Sequence, residues 1–386
     1  MKDMETLRGE IDGIDRQLVS LYEQRMDVCR EVGAWKREHG APVLDAGREK
    51  RLLEDRAAML RDPSLGGGVR GMFEAVMRES RALQSEQAEP SDPDKREVLR
   101  TLREMAASAP AKTDGRVLYQ GQPGAYGEEA AIGYFGADCD RTNLKTWDGV
   151  FRGVRDGFGD YGVVPVENSS TGSIRDTYDL LSKFGCSIVG EYVVRVEQCL
   201  MAGPGANMRT ITDVYSHEQG FLQCRAFLEN YPKWSQHVMA NTALSARFVA
   251  ESAAPAFAAI ASRRAAELYG LQILQTRIND NPHNYTRFLI VAAQPHVADD
   301  ADKISIQFTV PHTEGSLCRV LEAFARGGRN LMKLESRPIP EKSWEYRFFA
   351  DFSGNLREES MEPMFRALLE ETVSLRILGN YRAAEA

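Results

Sequence analysis

The chain has 386 residues and a formal net charge of −8, long enough for two or three domains with separate cores. No basic block relieves the acidic balance and no apolar run reaches the roughly 18 residues of a membrane helix, so neither nucleic acid nor a membrane is an expected partner. The start Met1-Lys-Asp-Met-Glu-Thr lacks a signal-peptide core, and the six cysteines and six histidines show no CxxC, HxxxH or HExxH spacing, so a reduced, cytoplasmic protein with no metal or organic cofactor is expected.

In chain order, residues 4–39 read as one helix, with Leu7, Ile11, Ile14, Leu18, Leu21, Val28, Val32 and Trp35 recurring at helical spacing and Arg25 in the position between Leu21 and Val28. A second helix is predicted from Asp45 toward Leu60, a break at Gly66-Gly-Gly68, and a third helix carrying Val69, Met72, Phe73, Val76, Ser80 and Leu83 on one face. The first 88 residues are thus read as all-helical, and the polar, proline-containing stretch 89–115 as a linker with a short helix at 96–105. From 116 to 296 the pattern turns α/β. Strands are predicted at 117–119, 161–166, 187–196 and 288–293, and helices at 127–135, 220–230, 242–251 and 256–269. The segment 302–382 reads β-α-β-β-α-β, the ferredoxin-like plan: strands at 303–310, 330–336, 345–352 and 373–378, helices at 316–326 and 361–372.

Arg25 reads either as an arginine snorkelling from the seam edge or as a cation aimed at a ligand. Lys36 lies three helical turns further on and points the same way, Arg48 opens the second helix, and Ser80 and Gln84 form an i,i+4 pair on the third. Arg8 stands about 25 Å along the helix from Arg25, too far for one small ligand to touch both. A functional Arg8 would therefore reach the site of a second copy, which predicts a homodimer of interlocked long helices. Cations and donors without an acid–base pair suit a reaction that clamps a dicarboxylate and meets developing charge on an ether oxygen.

The run Leu7-Arg8, Asp15, Arg25, Glu31-Val-Gly33, Lys36, Pro42-Val43, Asp45, Arg48-Glu49, Ser80, Gln84 resembles the all-helical chorismate mutases. The resemblance implies that Arg8, Arg25 and Arg48 address substrate carboxylates or hydroxyl, that Lys36 and Gln84 flank the ether oxygen, and that Asp45, Glu49 and Ser80 support the hydroxyl side. Asp45 reads equally as a helix cap, and Glu49 as a charge favouring a helix start.

In 116–296 the runs Tyr119-Gln-Gly-Gln-Pro-Gly-Ala-Tyr126, Val164-Pro-Val-Glu-Asn-Ser-Ser-Thr-Gly172, Ser216-His-Glu-Gln-Gly-Phe-Leu-Gln-Cys224, Asn241-Thr-Ala243, Ala259-Ile-Ala261 and Asn284-Tyr-Thr-Arg-Phe288 resemble prephenate dehydratase. The resemblance implies a two-lobed, periplasmic-binding-protein-like α/β domain with substrate in the cleft. Thr286 is then the group hydrogen-bonding the departing hydroxyl, while Asn168, Ser169 and Thr171 bind carboxylate or hydroxyl and Gln223 forms a polar wall. Arg287 carries two readings, substrate contact or a salt bridge on the opposite strand face. His217 reads as structural, because Glu218 stands where relatives often have proline.

Gly315-Ser-Leu317 and Glu335-Ser-Arg-Pro338 resemble the phenylalanine-binding ACT domains of this enzyme family, with Ser316 in place of the usual alanine. Gly315, Ser316, Leu317, Asn330, Leu331, Glu335, Ser336 and Arg337 are the implied effector site, Asn330 and Leu331 coming from the facing chain and Glu335 and Arg337 alternatively pairing with each other. The whole then reads as a bifunctional enzyme of phenylalanine biosynthesis, converting chorismate to prephenate and prephenate to phenylpyruvate, inhibited by L-phenylalanine, and a homodimer or tetramer. No GxGxxG follows a strand, against a dehydrogenase using NAD. A non-catalytic amino-acid sensor and an arogenate-preferring enzyme are the competing readings.

Overall fold

A computed structural model describes residues 2–85, 89–90, 92–112, 114–340, 342 and 344–385. It divides into two compact units, residues 1–101, 310–327 and 359–375 in the first and 102–309, 328–358 and 376–386 in the second. The expected domain boundary at residue 88 lies outside the described residues.

The first unit begins with α1 (Met4–Glu38), capped by the Asp3 carboxylate, which accepts the Thr6 N–H at 2.7 Å. Its 35 residues make it about 52 Å long. Only Met26 and Gly33 of α1 are fully buried; the predicted apolar seam from Leu7 to Trp35 is exposed in the single chain, Ile11, Ile14 and Leu18 by half or more. After α2 (Ala46–Ala58), the glycines 66–68 do not break the chain as expected. They form the first turn of α3 (Gly66–Ser85), and the chain turns earlier, at Pro63–Leu65, where Asp62 caps and proline stands at the helix start. The expected linker is largely α4 (Pro93–Ala106), whose Leu99, Leu102 and Met105 are buried.

Next come β1 (Val117–Gln120), α5 (Tyr126–Phe135), β2 (Arg141–Leu144), α6 (Trp147–Arg155), β3 (Tyr161–Asn168), the two-residue β4 (Gly172–Ser173), α7 (Arg175–Phe184) and β5 (Ser187–Arg195). A second sheet is then inserted, built from β6 (Cys199–Ala202), β7 (Asp213–Ser216), α8 (Glu218–Gln223), α9 (Arg225–Leu228), β8 (Ser235–Val238), α10 (Thr242–Ser252), β9 (Phe257–Ala261), α11 (Arg263–Tyr269) and β10 (Gln272–Gln275). β11 (Tyr285–Ala292) returns to the first sheet, between β5 and β3. Val117, Tyr119, Val163 and Ile290 pack to one side of that sheet, Leu118, Val164 and Leu289 to the other, so both faces are covered and these strands lack an exposed polar face.

Two expected helices are corrected here. Residues 256–269 are not one helix: the alanine-rich run Phe257–Ala261 is the central strand of the second sheet, paired with β6 and β7, and Ser262 then caps α11. Residues 220–230 form two short helices, because Cys224 leaves helical geometry (φ −119°, ψ 25°) while Asp280 takes the Gln223 carbonyl and the Ala226 N–H.

The last six elements are β12 (Lys303–Thr309), α12 (Ser316–Arg326), β13 (Leu331–Pro338), β14 (Tyr346–Ser353), α13 (Met361–Glu371) and β15 (Ser374–Tyr381), the expected β-α-β-β-α-β order with strands arranged β13-β14-β12-β15. β15 also pairs with β5, parallel, at Gly379 and Ile188, so these four strands continue the first sheet. Among the described residues no helix is long and apolar enough to cross a membrane, and no cluster of three His, Cys, Asp or Glu could hold a metal ion.

Candidate active sites

In the first unit the polar side chains of α1 and α3 meet. The Arg25 guanidinium donates to the Ser80 hydroxyl at 2.5 Å and lies 3.7 Å from the Cys29 sulfur. Ser80 in turn donates to the Val76 carbonyl at 2.7 Å. Both Ser80 and Gln84 are buried, and the Gln84 Oε1 has no hydrogen-bond partner among the described residues. Gly33 permits the approach: a Cβ there would lie 3.1 Å from the Gln84 Cα. Lys36, on the same side of α1, donates to the Val43 carbonyl at 2.6 Å and lines a cavity of about 620 Å³ together with Gly33 and Pro42. Asp45 caps α2 through the Arg48 N–H at 2.9 Å, and Glu49 is held by Arg81 at 2.6 and 2.7 Å. Arg8 and Arg48 are exposed.

In the second unit a polar cluster forms where the chain crosses between sheets. The two crossing segments run side by side, Val196 N–H to the Asn284 carbonyl at 2.8 Å and Ile278 N–H to the Gln198 carbonyl at 3.0 Å. Asn284 leads directly into β11, which places Thr286 opposite Asn168 of β3. One step on, the pairing skips Val166: Arg287 faces Glu167 and Phe288 faces Pro165. Such a bulge re-aims the side chains beside it.

The Asn168 side chain organises this corner. Its Oδ1 accepts the backbone N–H groups of Ser170 and Thr171 at 2.9 and 3.0 Å. Those donors fix the amide's orientation, so the group facing Thr286 is the NH₂. It donates to the Thr286 hydroxyl at 3.0 Å and to the Asn284 Oδ1 at 2.7 Å. The Thr286 oxygen therefore acts as acceptor toward Asn168, and its own proton remains to be donated. Ser169 bridges the His283 carbonyl and the Tyr285 N–H. Asn284 and Gln198 were not among the expected site residues, yet each is buried and carries a polar atom, Nδ2 and Oε1 respectively, without a partner among the described residues. Gln198 also donates to Gln223 at 3.1 Å, bringing the expected polar wall into the same crossing region. For Asn284 the signal was its motif; for Gln198 no sequence signal existed. His217 caps α8 by accepting the Gln219 N–H.

Arg287 does not join this cluster and is corrected from substrate contact to ion pair. Alternation on β11 turns it to the other face, where Glu167, Glu191 and Asp351 each lie 3.0 Å away. Burial opposes its charge, but the surrounding carboxylates keep the guanidinium well protonated. Glu335 and Arg337 do not pair with each other: Glu335 accepts from Ser173 at 2.7 Å and Arg337 binds Asp179 at 2.5 Å. Gly315 adopts the left-handed conformation (φ 73°) at the start of α12, and the buried Ser316 hydroxyl is satisfied by Thr313 and Arg319. The Asn330 carbonyl accepts the Ser353 N–H at 2.9 Å while its own N–H donates to the Ser353 hydroxyl at 3.0 Å, Leu331 pairs with Phe352, and Ser336 is exposed on β13. Gly315, Ser316 and Leu317 belong to the first unit, and Asn330 to Arg337 to the second.

Comparison with known proteins matches residues 7–85 to the family described as chorismate mutase type II and residues 117–296 to prephenate dehydratase. A bifunctional chorismate mutase/prephenate dehydratase of Enterobacter agglomerans is 31% identical over 382 residues, covering 97% of this chain and 95% of that protein. Among solved structures, the prephenate dehydratase of Arthrobacter aurescens in complex with L-Phe is similar at TM-score 0.64 and 29% identity, over 69% of this chain and 90% of that one. A protein described as GqqA, a novel type of quorum quenching acylase, is similar at TM-score 0.64 and 28% identity, over 69% of this chain and 98% of that one.

Proposed function

The chain belongs to the family of bifunctional chorismate mutase/prephenate dehydratases, and from that premise we propose how its residues divide the two reactions. Its activities are the isomerisation of chorismate to prephenate and the dehydration of prephenate, in phenylalanine biosynthesis. In the mutase, Arg25 and Arg48 hold the substrate's anionic groups, with Arg8 supplied by a second copy. Lys36 and Gln84 meet the charge that grows on the ether oxygen as the bond breaks. Ser80 fixes Arg25, Asp45 presets Arg48 through its cap, and Glu49 works through Arg81. The exposed apolar stripe on α1 supports the dimer that Arg8 requires.

The observation carrying the dehydratase reading is the orientation of Asn168, which leaves the Thr286 proton free to point at a departing hydroxyl. As the ring carboxylate leaves as CO₂, its bonding pair closes the aromatic ring and expels the ring hydroxyl as hydroxide; Thr286 hydrogen-bonds that developing charge, and the hydroxide takes one proton from solvent to become water. Ser169, Thr171, Asn284, Gln198 and Gln223 supply the polar surround. The 302–382 segment acts as an ACT-type sensor of L-phenylalanine. Gly315 and the first N–H groups of α12 receive the effector carboxylate, Ser316 and Leu317 shape the turn, and Asn330 and Leu331 are supplied by the facing chain of a second copy.

Lys36→Ala should abolish mutase and spare dehydratase activity, and Thr286→Ala should do the reverse, each followed by prephenate and phenylpyruvate formation from added chorismate or prephenate. Loss of both activities in a folded variant of either kind sinks this division. Arogenate as a parallel substrate separates the prephenate-specific reading from its rival, and no turnover of any substrate would leave a sensor.

A further inference from the structure

The loop from Asn168 to Gly172 is a narrow hairpin whose neck is the pair Glu167 and Ser173, opposite each other where β3 meets β4. Both ends of that neck are held by one side chain from 160 residues away. Lys333 of β13 makes an ion pair with Glu167 at 2.9 Å and donates to the Ser173 hydroxyl at 3.0 Å, while Glu335 accepts from that hydroxyl at 2.7 Å. On β13, Lys333, Glu335 and Arg337 are partly buried, while Met332, Leu334 and Ser336 between them are exposed, the alternation of a strand with one face engaged. Glu167 is also gripped by Arg287, which binds Glu191 and Asp351, and Lys303 completes a set of three cations and three carboxylates.

We propose that Lys333 is a positioning residue for the dehydration: from β13 it clamps the two ends of the loop whose Asn168 aims the Thr286 hydroxyl. Lys333 does not touch the Asn168–Thr286 pair, so it acts on the orientation of that pair and leaves the substrate's contacts alone. The C-terminal segment thus contributes to the basal dehydratase rate, independently of any effector. The inference rests on the reading of Thr286 given above.

The test is Lys333→Met in the full chain, with mutase activity measured on the same preparation. A loop released by about half an ångström should lower the dehydratase kcat about tenfold, since a misplacement of about 1 Å costs on the order of a hundredfold. KM for prephenate should move less than about twofold and the mutase should be unchanged. Lys333→Arg should recover most of the loss. The acid limb of the kcat profile should move to higher pH in Lys333→Met, because Glu167 loses a cation. Adding Glu167→Gln to Lys333→Met should cost less than the two separate losses multiplied together. Where Lys333→Met does not fold, Ser173→Ala removes the other arm and should lower kcat about threefold. An unchanged kcat in either folded variant, beside an inactive Thr286→Ala, overturns the clamp; an active Thr286→Ala overturns the reading beneath it instead.

Discussion

Replacing Gly33 by alanine isolates the role of the α1–α3 contact. The new methyl would sit 3.1 Å from both Cα and Cγ of Gln84 and 3.3 Å from its Cβ. Carbon atoms pack best at about 3.5–4.0 Å, so the end of α3 must recede by about half an ångström. Two stability effects oppose each other. Alanine favours the α1 helix by about 1 kcal/mol over glycine, while overpacking costs about 1–3 kcal/mol, leaving a net destabilisation of about 0–2 kcal/mol. Function is the more sensitive readout, because Gln84 is the group displaced. At about a hundredfold per ångström, the mutase should lose about tenfold in kcat/KM. The assay is chorismate consumption beside phenylpyruvate formation from added prephenate, with the dehydratase as internal control. Mutase activity within twofold of the parent would refute the reasoning, and so would an equal fall in both activities.

Lys303→Met leaves the fully buried Glu191 carboxylate without the cation at 2.5 Å. Breaking one side of a buried pair costs about 3–5 kcal/mol, and because Arg287 and the Ala384 N–H remain on Glu191, a loss near 3 kcal/mol is expected. Thermal unfolding followed by circular dichroism should then show a midpoint about 6–12 °C lower, and a shift under 2 °C would contradict the network. Burial tends to raise the Glu167 carboxyl, but Lys333 and Arg287 hold it below its ordinary value of 4.5. A lowered folded value means its contribution is present above that ordinary value and is lost as pH falls through the folded one. Thermal midpoints should therefore drop on acidification below about pH 4.5, and Glu167→Gln should flatten that drop. Ile14→Lys with Leu18→Lys should turn a dimer into a monomer by sedimentation and reduce mutase activity by removing the partner's Arg8; a parent that already sediments as a monomer contradicts the expected pairing.

Long periodic segments were the most legible part of the chain. α1, α12 and the β-α-β-β-α-β run follow their hydrophobic spacing within two residues at most ends, because one face of each element repeats at a fixed interval. Phe257–Ala261 was illegible for the converse reason: a central strand buried on both faces has no alternation, and alanine suggests a helix. The short strands of the second sheet and the helices α6 and α7 also passed unread, although Thr146 caps α6 in the ordinary way. At the sites, motifs located Asn168 and Thr286. Their mutual orientation depends on a skipped residue in strand pairing and on two backbone N–H groups, which no list of side chains contains. Arg287 was separable from Thr286 by strand alternation alone, but its three partners come from positions 167, 191 and 351, a convergence only the fold creates.

Gly379 gives the C-terminal strands their join to the rest of the sheet: a Cβ at that position would collide with the Ile188 carbonyl, so any larger residue is a wedge. A chain cut short near residue 298, the obvious way to strip away an effector module, would leave the outer margin of β5 bare and Glu191, Glu167 and Arg287 short of counter-charges. Bare strand margins recruit other copies. A deletion of that kind would report on clumping and misfolding, whereas single replacements on the outward side of β13 leave the joint intact and can be read for effector response.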